Sequence, residues 1–136
     1  MLIDIGGNRV LDIFKKKTPK NSNKLFRMTL QIGRGANTDM PSHLVGAYVP
    51  VFVASQNHEA AATRAVTKIR EQGFEFLDIA DQKIDELDPK KWAAFVKEAW
   101  PEFEAHFPTQ QAVISELAQD FLFIGPFAGY ESSTDA

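Results

Sequence analysis

Residues 48 to 79 constrain the fold more than any other stretch of this chain. They read YVPVFVAS, then QNHEAAATRAVTKIREQG, then FEFLDI. The outer runs are short and rich in β-branched and aromatic residues, the composition of strands. Between them Ala62, Ala65, Val66 and Ile69 recur at helical spacing, and the small alanines let that stripe pack closely on a sheet. Asn57 stands where an N-cap belongs and Gly73 where a helix stops. Strand, helix and strand joined without slack make a β-α-β crossover. A parallel pairing of its two strands would be right-handed.

The flanking segments extend the pattern. In Leu25 to Ile32, Phe26, Met28, Leu30 and Ile32 alternate with Arg27, Thr29 and Gln31, the period of a half-buried strand. From Leu44 to Ala54, Tyr48, Phe52 and Ala54 oppose Val49, Val51 and Val53. Both sides are apolar, which predicts a central strand covered on both faces. Pro50 opposes that placement because it cannot donate to a ladder, and an edge position or a bulge at Pro50 reconciles the two. Phe74 to Ile79 sets Phe74, Phe76 and Asp78 against Leu77 and Ile79, and Asp81 to Leu87 reads as a short edge strand or a turn. Asp88-Pro89 starts a helix with Trp92, Phe95, Val96 and Ala99 as its buried stripe. Pro101 and Pro108 interrupt it. Thr109 to Gln119 is a further helix burying Val113, Ile114 and Leu117, and FLFIGPFAGY closes as a strand that meets Gly125-Pro126.

These elements predict an α/β fold of the α+β kind. It is a two-layer sandwich with a four- or five-stranded mixed, mostly antiparallel sheet, two or three helices on one face, and one β-α-β unit. By analogy of element order, a ferredoxin-like arrangement is one candidate. A chain of 136 residues holds one core and not two ordinary domains. Residues 1–24 read as a basic leader, flexible or carrying a short helix from Asn8 to about Lys17. Residues 25–130 form the single domain, and 131–136 are expected to be disordered.

Composition narrows the function classes. There is no Cys, which excludes a disulfide framework, a thiol nucleophile and a cysteine metal site, and fits a reducing cytosol. No run approaches the roughly 20 apolar residues of a membrane span, and MLIDIGG lacks the basic start of a signal peptide. The expectation is a cytoplasmic protein with no membrane span. The net charge of -3 conceals an asymmetry: residues 1–34 carry +6, residues 35–70 carry +1 and residues 71–136 carry -10. Such a distribution steers charged partners. It disfavours nucleic-acid binding by the acidic body.

Motifs for chemistry are weak. Gly33-Arg34-Gly35-Ala36-Asn37-Thr38 opens like a dinucleotide fingerprint, but Thr38 replaces the third glycine and Met40-Pro41 follows where a helix should begin. His43, His58 and His106 include no i, i+4 pair. His58 and Glu59 are accounted for by the first turn of a helix. The run Asp78, Asp81, Asp85, Glu86 and Asp88 lacks the central glycine of a calcium loop. No elbow frames a serine, Ser42-His43 included. No metal and no cofactor are expected.

The leading expectation is a small acidic protein-binding module without catalytic activity. It engages a basic protein through Asp81, Asp85, Glu86, Asp88, Glu98 and Glu102, with Trp100 as an apolar anchor. Toxin-neutralising immunity proteins are one functional class of this type. An alternative is a small enzyme or ligand-binding domain using the 33–43 loop, with Arg34 binding an anion and His43 as acid or base at a concave pocket. A third is a self-associating subunit, a homodimer joined through a strand edge or the helix bearing Trp92 and Trp100.

Overall fold

The computed structural model describes residues 23–131. The helix expected in the leader, and the tail beyond Glu131, lie outside the described residues. The elements are β1 Lys24–Gly33, β2 Gly46–Ser55, α1 His58–Glu71, β3 Glu75–Leu87, a 3₁₀ turn Pro89–Lys91, α2 Trp92–Ala99, a second 3₁₀ turn Pro101–His106, α3 Gln110–Glu116, β4 Leu122–Ile124 and β5 Ala128–Tyr130. The strands form one five-stranded sheet in the order β3-β1-β2-β4, with β5 also on β2. Every pairing is antiparallel. The fold is therefore α+β, as expected. Because β2 and β3 are both antiparallel to β1, they run parallel to each other, yet β1 lies between them. The β-α-β unit crosses over β1 instead of pairing its own strands. The order begins β-β-α-β, which departs from the β-α-β-β-α-β of a ferredoxin-like fold.

Local chemistry sets the central helix. The Asn57 side chain accepts from the Ala60 N–H at 2.8 Å, Glu59 lies in the first turn, and Lys68 and Arg70 lie in the last. Each charge matches the helix dipole at its own end. Ala61, Ala65 and Ile69 face the sheet and meet Phe26, Met28, Leu30 and Ile32 of β1 and Val49, Val51 and Val53 of β2. Full burial of each large aliphatic side chain stabilises by roughly 1.5–3 kcal/mol.

The opposite face carries a second core. Leu25, Phe52 and Ala54 pack against Trp92, Val96, Phe107, Val113 and Phe121. The helices therefore do not all lie on one face: α1 covers one side, and α2 and α3 cover one end of the other. The cause is Phe52 and Ala54, which alternate with the valines of β2 and need apolar cover of their own. Trp92 is buried and its Nε1–H donates to the Pro108 carbonyl at 2.8 Å. Trp100 lies past the end of α2 with φ -137° and ψ 60°. Leaving the helix there returns its ring to the same cluster, 5.4 Å from Phe107.

Pro50 sits in a central strand. Its carbonyl accepts from the Gly125 N–H at 2.8 Å, so its missing donor faces the same side. There the neighbouring strand is broken. Two residues of β2 lie between Val51 and Tyr48, whereas three lie between their partners Ile124 and Ala128. The bulge that accommodates Pro50 is thus in the neighbour, at Gly125-Pro126-Phe127. In β3, Met28 faces Ile84 and Leu30 faces Ile79, so Ala80 to Lys83 oppose Thr29 alone. A second shift leaves Leu77 without a partner between Phe76 and Asp78. It flips the expected alternation: Phe76 and Ile79 both reach the α1-side core, and Leu77 is exposed.

Candidate functional site

Beyond the end covered by α2 and α3, the second face is open among the described residues. Thr29 and Gln31 of β1 and Tyr48 of β2 lie there by strand alternation, and β5 brings Tyr130 beside them. Tyr48 is 41% exposed. The rings of Tyr48 and Tyr130 are 5.5 Å apart. Gln31 Nε2 donates to Tyr130 Oη at 2.9 Å. Gly46 makes this possible: a Cβ there would come within 2.5 Å of Tyr130 Oη. The glycine lets the Tyr130 ring lie across β2 and reach β1.

Charged groups border the tyrosines. Arg27 Nη2 and Asp85 Oδ2 are 2.7 Å apart, each side chain about 30% exposed. The Arg27 guanidinium also lies over the Phe95 ring at 5.6 Å, which ties this border to α2. A pair this exposed contributes about 0–1 kcal/mol to stability and more to specificity. The Ala80–Lys83 bulge adds a small cleft of about 130 Å³, shared by Arg27, Thr29, Asp81, Lys83 and Asp85. At its tip Asp81 and Gln82 have φ 58° and 54°. Consecutive left-handed residues without glycine are strained, and Gln82 Nε2 donates to Asp78 Oδ1 at 2.7 Å across the turn. Asp78 faces Gln31 in register. Asp78, Asp81 and Asp85 therefore border the open face.

The chain matches no family model, no curated protein and no solved structure.

The remaining acidic residues are dispersed. Glu86 is in register with Phe26, so it points to the α1 side, away from Asp85. Asp88 Oδ1 accepts from the Lys90 N–H at 3.0 Å and caps the 3₁₀ turn. Glu98 and Glu102 are exposed on α2 and the turn after it. Trp100 is half-buried between Phe52, Phe95 and Phe107 instead of standing free. Among the described residues no group of three or more His, Asp or Glu is placed to hold a metal ion.

The 33–43 loop is held by its own side chains. Arg34 Nη1 donates to Met40 O at 2.7 Å, and Nη2 donates to Pro41 O at 2.7 Å and to Leu44 O. Asn37 Oδ1 accepts from the N–H groups of Asp39 and Met40 at 2.8 and 3.0 Å. His43 is exposed. An apolar groove of about 390 Å³ does lie beside the loop, lined by Met40, Pro41, Leu44, Phe74 and Phe127. Neither Arg34 nor His43 lines it, so the two do not converge there. Replacing Arg34 with Ala should take the guanidinium donor from the Met40 and Leu44 carbonyls, and from that of Pro41, which keeps the Leu44 N–H, and lower stability by about 2–3 kcal/mol. Denaturant titration reads the loss, and hydrogen exchange should localise it to residues 36–45. A change below 0.5 kcal/mol would remove the stapling role.

Sequence reasoning missed Tyr130 and its partners Gln31 and Gly46. The polar side of β1 was legible in the alternation of Arg27, Thr29 and Gln31. The pairing of Tyr48 with Tyr130 is set by the β2–β5 register, for which a local pattern carries no signal.

Proposed function

We propose that this domain is a protein-binding module without a catalytic centre, whose docking surface is the open half of the second sheet face. Tyr48 and Tyr130 are its apolar anchors, and Asp78, Asp81 and Asp85 are its acidic border. The partner is a protein with a basic patch. The single observation that carries the proposal is the pair of exposed Tyr48 and half-buried Tyr130, held by Gln31 on a sheet face that lacks helical cover among the described residues. Tyrosines supply large contact area at low entropic cost and are enriched at binding hot spots. The acidic border complements a basic surface and would speed encounter at low salt.

Toxin-neutralising immunity proteins are one functional class of this type. Among the described residues no helix is long and apolar enough to cross a membrane. A chain free of Cys fits a reducing compartment, and the proposal places the module in the cytosol.

The test begins with a photo-crosslinking phenylalanine at position 48, and a second at exposed Glu116 as control, in extract of the native host. The partner captured only from position 48 is then purified and titrated. Tyr48→Ala should weaken binding by about 30-fold or more, the scale of a hot-spot truncation. Asp81→Asn with Asp85→Asn should slow association and flatten its salt dependence. Glu86→Gln with Asp88→Asn should have the smaller effect. Affinity indifferent to Tyr48 and to both carboxylate pairs would sink the proposal.

A further inference from the structure

β4 forms one edge of the sheet, unpaired on its outer side among the described residues. Phe123 is in register with Phe52. Ala54 N donates to Phe121 O at 2.9 Å and Gly125 N donates to Pro50 O at 2.8 Å. Alternation in an antiparallel ladder therefore turns the backbone groups of Phe121, Phe123 and Gly125 toward β2. Those of Leu122 and Ile124 turn to the open edge. An open edge is a template for another strand.

A groove lies along that edge on each face. On the second face Phe103, Phe107, Phe123, Ile124 and Pro126 line an apolar groove of about 370 Å³. On the α1 face Arg64, Thr67, Lys68, Glu71 and Leu122 line a polar groove of about 270 Å³. The Arg64 guanidinium lies there with its N–H groups bonded to the backbone carbonyls of Ala54 and Asp120. With Lys68 it outweighs Glu71, so the polar groove favours an anionic side chain.

We propose that the β4 edge docks an extended peptide whose residues alternate apolar and acidic, added as an antiparallel strand outside β4. Successive side chains of such a strand point to opposite faces. An apolar residue opposite Phe123 enters the phenylalanine groove, and an acidic residue opposite Leu122 meets Lys68 and Arg64. Backbone hydrogen bonds to Leu122 and Ile124 supply affinity, and the two grooves supply specificity. A second copy of β4 fits less well, because its Leu122 and Ile124 would bring no carboxylate to the polar groove. The site is separate from the tyrosine face.

The test uses the full chain, isotopically labelled, and a blocked synthetic heptapeptide of alternating Glu and Phe. The control is a peptide of the same composition with its Glu and Phe in two blocks. The alternating peptide should shift the amide resonances of Leu122 and Ile124 and slow their hydrogen exchange, and the block peptide should not. Lys68→Glu, at an exposed position, should weaken binding about fivefold, the scale of reversing a surface ion pair. Phe103→Ala should weaken it about tenfold. Unchanged melting temperatures would verify that both variants fold. The proposal is overturned if both peptides bind equally, if the shifts fall elsewhere, or if neither binds. Sedimentation showing a dimer that protects the same two amides would assign the edge to a second copy and equally overturn it.

Discussion

Phe52→Ala is expected to lower stability by about 3–5 kcal/mol, the range for a large aromatic removed from a packed core. Phe52 is fully buried on the second face. Its ring meets Trp92 edge-on at 5.0 Å and lies 5.9 to 6.2 Å from Phe95, Trp100, Phe107 and Phe123. The helical cluster is built around this one strand residue, so truncation leaves a cavity that several rings border and none alone can fill. Aromatic pairs add about 0.5–1.5 kcal/mol beyond area burial. Against a total of about 5–15 kcal/mol for a domain, the melting temperature should fall on the order of 15 °C. Near-ultraviolet dichroism from Trp92 and Trp100 should weaken with it. Phe52→Leu should cost about half as much, because it keeps apolar volume. The effect would reach the candidate site, since Arg27 rests on Phe95 and loosening α2 frees the acidic border. A loss below 1 kcal/mol would show that the second core is not the structural support inferred for it.

Gly35→Ala is expected to cost about 2–4 kcal/mol for a different reason. Gly35 has φ +55°, where a side chain crowds its own backbone. A Cβ there would come within 2.5 Å of the Gly73 carbonyl oxygen and 2.9 Å of the Glu75 nitrogen. Both are backbone atoms and cannot rotate away, so the loop or the start of β3 must move. The Ala36 N–H bond to Gly73 O, 2.8 Å long, would be the first to break. Urea unfolding measures the loss, and faster exchange of the Ala36 amide places it. Ser42→Ala, at an exposed position of the same loop, should stay within about 0.5 kcal/mol. Equal effects from the two substitutions would show that the close approach carries no energetic weight.

Local signals account for what the sequence disclosed. Asn57 and Gly73 bracket α1 because caps and stops are read within a few residues. Phe26, Met28, Leu30 and Ile32 declare a buried strand face because the period of two is local as well. The failures are non-local. Simple alternation puts Leu77 on the face of Ile79, because a bulge is invisible until the partner register is known. Helical spacing puts Trp100 on the same helix as Trp92, but the chain leaves the helix at Ala99 and that spacing no longer applies. Pro50 looked incompatible with a central strand because the gap that admits it belongs to residues 125–127. Proximity in the sequence groups Asp85 and Glu86 as one acidic surface, but adjacent strand residues point to opposite faces. The tyrosine site needed the longest reach, because it depends on residues 31, 46, 48 and 130 meeting across three strands.

The strand order also sets a schedule. β1, β2, α1 and β3 are consecutive and together hold most of the α1-side core, so this half can close while the rest of the chain is still leaving the ribosome. Tyr130 takes its place only after β5 has been made and has found β2. The domain is thus a chain that acquires its shape early and its proposed recognition surface late, so a nascent chain would present that surface only once synthesis has passed β5.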